Sequence, residues 1–125
     1  MQLTKSFSIK GDVNRAFELT EKYVQGLKFS RKIEIKPTLL VLERGNGARA
    51  LANIGTTKIQ NAKTTLSISF RQNADAITIA CDYDISAHGI VLASDKSTLE
   101  KEVEKLQNFL IIVLGSGQKL PTTTP

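Results

Sequence analysis

Residues 65–86, TLSISFRQNADAITIACDYDIS, decide the fold because they predict two antiparallel strands joined by a tight turn. On each side of the turn at Gln72–Asp75, apolar residues alternate with polar ones, which is typical of strands with one buried face. The predicted inward set is Leu66, Ile68, Phe70, Ile77, Ile79, Cys81, Tyr83 and Ile85. A sheet of such strands has one apolar face, and another element must cover that face.

Two amphipathic helices are available as the cover. Asp12 is a good N-cap for the first helix, whose apolar residues recur at three- and four-residue spacing until the helix ends near Gly26. The second helix begins at Ser94–Asp95 or at Ser97. Its apolar stripe consists of Leu99, Val103, Leu106, Leu110 and Val113. Further strands are predicted over 2–10, 29–35 and 38–44, whereas 48–64 has no clear pattern. The predicted class is therefore α+β, in the order strand, helix, several antiparallel strands, helix.

Length and composition limit the number of domains and the kinds of site that the chain can contain. The 125 residues fit one domain, predicted over 1–115 and followed by a disordered tail over 116–125. One Cys and one His exclude an intramolecular disulfide and an ordinary zinc site. The longest apolar run, Phe109–Leu114, is too short to span a membrane, and the N-terminus lacks the apolar core of a signal peptide. These features predict a cytoplasmic protein without a cofactor or metal.

The net charge of +5 is unevenly distributed. Residues 28–71 carry nine basic residues against two acidic ones, a net +7, whereas residues 72–104 carry seven acidic residues against two basic ones, a net −5. A basic sheet face can neutralise phosphates, so nucleic acid is a candidate partner. Nearly all aromatic residues fall in apolar phase, which leaves no exposed row for stacking single-stranded bases.

Two arginines interrupt apolar positions. Arg31 shares its phase with Ile33 and Ile35, and Arg44 shares its phase with Leu42. Both positions lie near strand ends, where the side chains can reach water. Alternatively, a guanidinium points into apolar space and needs a partner, for which a ligand carboxylate or phosphate is suitable. Tyr83 is then the second polar contact.

The order of elements resembles that of the helix-grip proteins, the START and Bet v 1-like superfamily. The resemblance rests on residues 12–19 opening the first helix, on residues 42–46 closing an early hairpin, and on residues 99–114 as the gripping helix. In overall look the chain is similar to small helix-grip proteins of thermoacidophilic archaea. The resemblance implies a curved antiparallel sheet that wraps a long C-terminal helix. The predicted fold is therefore a sheet of about five to seven strands with one N-terminal helix, where two are usual in the superfamily, and a long C-terminal helix packed on the concave face (β-α-β(n)-α). The resemblance also implies a cavity for a lipid or another apolar small molecule between the sheet and that helix.

We therefore predict a non-enzymatic binding or carrier protein for a hydrophobic molecule with an acidic head, such as a fatty acid, which Arg31 or Arg44 holds. The expected cavity wall consists of Ile33, Ile35, Ile68, Phe70, Ile79, Tyr83, Val103, Leu106 and Leu110. The alternative is a nucleic-acid-binding sheet with the TBP-like plan. An enzyme of the cyclase or hydratase kind ranks last because no inward acid or His is apparent. A homodimer through Phe109–Leu114 is a further expectation.

Overall fold

The computed structural model describes residues 2–27, 29, 31–44, 63–86 and 93–117. In chain order, these residues form β1 (Gln2–Lys10), α1 (Val13–Gln25), β2 (Arg31–Ile35), β3 (Leu39–Arg44), β4 (Lys63–Asn73), β5 (Ala76–Ser86) and α2 (Ala93–Gly117). The five strands form one sheet in the order β1-β5-β4-β3-β2, and every neighbouring pair is antiparallel. The predicted α+β class and its element order are confirmed.

The core lies between one face of the sheet and the two helices. The alternation predicted for β4 and β5 is confirmed, since all eight residues of the inward set are buried. The helices cover these residues with Ala16, Phe17, Leu19, Val24, Leu99, Val103, Leu106, Leu110 and Leu114. The rings of Phe17 and Phe70 meet edge to face at 5.3 Å, which joins α1 to the centre of the sheet. Asp12 caps α1 as predicted, because its carboxylate accepts from Arg15 N at 3.1 Å.

In the edge strand β2, the side chains predicted to face the core face the solvent instead. Ile33 and Ile35 are 47% and 54% exposed. The register pairs Glu34 with Leu40, which is fully buried, and directly paired residues share a face of the sheet. Ile33 therefore lies on the solvent face beside Val41. The prediction that Ile33 and Ile35 face the core, and with it their place in a cavity wall, is wrong.

The C-terminal part of α2 is only partly buried. Within the apolar run Phe109–Leu114, Leu110 and Leu114 are buried, whereas Ile111 and Ile112 are 45% and 65% exposed. The helix continues to Gly117, into the predicted tail, and residues 118–125 lie outside the described part of the chain. Neither helix of the described part is long and apolar enough to cross a membrane.

The described part of the sheet does not support the nucleic-acid alternative. The acidic side chains of Asp82 and Asp84 are exposed on the solvent face of β5, directly beside β4 of the expected basic surface. Lys36 approaches Glu34 at 3.7 Å, and Arg44 lies on the core face. Of the basic residues counted in the sequence, Arg44 is therefore turned away from the solvent face, and Lys36 has an acidic neighbour.

Gly11 connects β1 to α1, and a side chain at this position is expected to destabilise the fold. Its φ is +150°, and a Cβ atom there would lie 3.2 Å from Leu114 Cδ1 and 3.4 Å from Ile77 Cδ1. We expect Gly11→Ala to lower the free energy of unfolding in urea by about 1–3 kcal/mol, through backbone strain and crowding. Gly115→Ala is the matched control, because its Cβ would meet nothing within 4 Å. Equal effects of the two substitutions would contradict the packing of α2 on this turn.

Candidate functional site

Three polar side chains from three elements meet at one end of the core, and we call them the Arg44–Glu102–Tyr83 cluster. Arg44 is the last residue of β3 and shares the core face with the buried Leu42. Tyr83 belongs to the inward set of β5 and is 2% exposed. Glu102 follows Leu99 by three residues on α2, which places it on the helix face that meets the sheet.

The cluster is held by three charge-assisted hydrogen bonds. Arg44 Nη1 donates to Glu102 Oε2 at 2.7 Å, and Arg44 Nη2 donates to Glu102 Oε1 at 3.0 Å. Tyr83 Oη donates to the same Oε1 at 2.6 Å. The side chains of Arg44 and Glu102 are 16% and 19% exposed. Because this fork geometry matches a carboxylate, the Arg44 charge is neutralised within the chain.

Phe29 completes the surroundings of Arg44. The guanidinium carbon lies 4.9 Å from the centroid of the Phe29 ring, within cation–π range. Arg44 Nε is buried without a hydrogen-bond partner. The expectation that a buried guanidinium needs an anionic partner therefore holds, but the partner is Glu102 and not a ligand.

The side chain of Arg31 lies outside the described part of the chain, and the register pairs its position with Glu43. The proposed role of Arg31 stays a prediction.

Glu102 is the residue that sequence reasoning missed, and the expectation of no inward acid is wrong. The signal was available in the helical spacing. Glu102 lies three residues after Leu99 and four residues before Leu106, and both of these are buried. An acidic residue within such a stripe either reaches water or finds a partner in the core.

A pocket of about 10 Å³ lies beside the cluster. It is lined by Tyr23, Val24, Leu27, Leu66, Ile68, Cys81, Tyr83, Glu102, Val103 and Leu106. Four residues expected in a cavity wall, Ile68, Tyr83, Val103 and Leu106, are brought together here. Phe70, Ile79 and Leu110 are buried in the core but do not line this pocket. A water molecule needs a space of about 10–15 Å³, so an organic ligand enters only if lining side chains move.

Burial keeps the other titratable groups of the pocket protonated. Burial raises the pKa of the Tyr83 phenol far above its usual range, and the Glu102 charge and hydrogen bond raise it further. Burial, and then the charges of Asp82 and Glu102, raise the pKa of Cys81 to about 12. Burial and the Glu102 charge also raise the pKa of Tyr23, at the end of α1. At neutral pH the two phenols and the thiol that line the pocket are therefore protonated.

The Cys81 thiol is expected to resist labelling in the folded protein. Its pKa lies above the ordinary value of 9.0, so the fold favours the neutral thiol. The neutral Cys81 thiol therefore contributes its full share to the stability of the folded state below pH 9. This contribution is lost as the pH rises from 9 towards 12. At pH 8, a disulfide reagent should label the native chain at least about a hundredfold more slowly than the urea-unfolded chain, because only exposed thiolate reacts. Equal labelling rates would contradict the burial of Cys81.

The chain was compared with protein families, curated proteins and solved structures. No protein-family profile matches the chain, and no curated protein matches it. Among solved structures, a START superfamily protein from Mycobacterium smegmatis aligns with 88% of this chain and 93% of its own length. The identity is 12% and the TM-score is 0.41. The Mycobacterium smegmatis protein is named for the START superfamily, and similarity at this level carries no argument about the present chain.

Proposed function

We propose that the chain binds a hydrophobic small molecule in the pocket between α1, the core face of the sheet and α2. One observation carries the proposal: a charged pair and a phenol stand beside a pocket whose other walls are almost entirely apolar. Ligand sites combine mainly apolar walls with a few convergent polar groups that orient the ligand.

The energetic cost of the cluster supports a role in recognition. Moving an ion pair out of water costs several kcal/mol per ion in real proteins, and apolar replacements of similar volume are often at least as stable. Leu or Met at positions 44 and 102 would satisfy the core without this cost. A cluster that adds little stability and lies beside a pocket is therefore suited to holding the polar end of a ligand.

We propose binding and not catalysis. Tyr83 and Cys81 are held in their protonated forms at neutral pH, which makes them poor bases and nucleophiles. The Glu102 carboxylate already accepts three hydrogen bonds, two from Arg44 and one from Tyr83. These groups can orient a ligand through hydrogen bonds, but the described residues offer no activated nucleophile at the pocket.

Mass spectrometry of the purified protein tests this function. The chain is first extracted under denaturing conditions, and the extract is searched for co-purified lipids. In a second measurement, the thermal unfolding of the chain is followed with and without added 1-octanol, 2-octanone or octanoate. We expect a co-purified apolar molecule or a rise in melting temperature with ligand concentration. The variant Ile33→Ser/Ile35→Ser is the control, because it removes exposed apolar residues far from the pocket lining and should bind equally. The absence of both signals would refute the function.

A further inference from the structure

The two cluster members that line the pocket, Tyr83 and Glu102, have only acceptor capacity left. Tyr83 gives its hydroxyl proton to Glu102, so its oxygen retains lone pairs alone. A carboxylate accepts about four hydrogen bonds, and Glu102 accepts two on Oε1 and one on Oε2. A ligand that meets this pair must therefore donate a hydrogen bond in order to gain one.

The charges of the site are already balanced. Glu102 is the one charged residue among those that line the pocket, and Arg44 neutralises it through both terminal nitrogens. A third charge would enter this pocket without a counterion among the lining residues, which is costly in an apolar surrounding. A negatively charged ligand would bind least favourably. Burial, and in addition the Glu102 charge, already disfavours the anionic forms of Tyr23, Cys81 and Tyr83, and both raise the pKa of each group.

We propose that the Tyr83–Glu102 pair of the pocket selects an uncharged ligand whose polar end donates a hydrogen bond to it, namely an alcohol, over a carboxylate or a ketone. This inference rests on the proposed function and assigns the class of its ligand. It replaces the acidic head expected from the sequence, because Glu102 occupies the position at Arg44 that a fatty-acid carboxylate would take. The alkyl part of the ligand would pack against Leu27, Val103 and Leu106.

Three eight-carbon compounds test whether the pocket prefers an alcohol, a ketone or a carboxylate. Binding of 1-octanol, 2-octanone and octanoate to the full chain is measured by titration at pH 7.5. Octanol is neutral and donates, octanone is neutral and only accepts, and octanoate is an anion that only accepts. We expect octanol to bind at least about tenfold more tightly than either of the others, the difference that one unmatched buried polar group makes.

Glu102→Gln tests whether the carboxylate sets this preference. The glutamine amide donates, so octanone should bind as tightly as octanol, and octanoate should gain at least about tenfold because Arg44 loses its counterion. Glu104→Gln is the matched control on the exposed face of the same helix and should keep the wild-type order. Should Glu102→Gln fail to fold, Tyr83→Phe keeps the Glu102 acceptor and must retain the preference for octanol.

The outcomes distinguish the two proposals. If none of the three compounds binds the wild-type chain, this inference falls, and the proposed function falls with it when no apolar molecule co-purifies either. If octanoate or octanone binds as tightly as octanol, the function stands and the inference falls. A preference for octanol that survives Glu102→Gln unchanged also overturns the inference, because the donor would then be recognised elsewhere.

Discussion

Arg44→Met alone is expected to destabilise the fold by on the order of 3 kcal/mol, because it leaves the Glu102 carboxylate largely buried without its counterion. Chemical denaturation followed by circular dichroism measures the change. In the double variant Arg44→Met/Glu102→Gln, the buried charge is gone and the amide oxygen still accepts from Tyr83. We expect the double variant to regain at least half of the lost stability.

A surface pair provides the control for this prediction. Lys5 and Glu100 approach at 3.9 Å, and their side chains are 45% and 42% exposed. Lys5→Met should therefore change the stability by no more than about 1 kcal/mol, because solvent screens such pairs. A loss for Arg44→Met as small as that for Lys5→Met would show that the Arg44–Glu102 pair is solvated.

Leu110→Ala is expected to destabilise the fold by about 2–5 kcal/mol. Leu110 is fully buried where α2 packs on the sheet, so its truncation leaves a cavity in the core. The measurement is again the free energy of unfolding in urea. The loss should appear without a change in the denaturant slope, since the fold exposes the same surface when it unfolds.

Ile112→Ala is the matched control on the same helix. Ile112 is 65% exposed, so its truncation should change the stability by less than about 0.5 kcal/mol. Similar losses at both positions would mean that Ile112 is covered in solution, as in the homodimer that the sequence suggests. A small loss at Leu110 would contradict the packing of α2 on the sheet.

The strands that form the core could be predicted because one face of each strand is apolar and the other face is polar. In β5, residues such as Ile79 and Tyr83 alternate with Asp82 and Asp84, so only one face is suited to burial. In β2, the alternation of Ile33 and Ile35 with Lys32 and Glu34 predicted the wrong face. The register with β3 decides it, because Glu34 pairs with Leu40. Pairing between strands is not contained in the pattern of a single strand.

The candidate site was predictable in part. Arg44 and Tyr83 were identified as polar groups in apolar phase, and a partner for the arginine was expected. The partner Glu102 lies 58 residues away on α2, and it appears only when β3 and α2 come together. The expectation of no inward acid overlooks the helical spacing of Glu102, which places it on the buried face of α2. A buried ion pair is a property of two elements, and neither element predicts it alone.

Nuclear Overhauser effects can locate bound 1-octanol and thereby test whether the chain binds a ligand in the pocket between the sheet and α2. We predict contacts between its alkyl protons and the methyl groups of Leu27, Val103 and Leu106, which line the pocket. Contacts confined to the exposed Ile35 or Ile112, or no contacts at all at saturating octanol, would contradict a binding site between the sheet and α2.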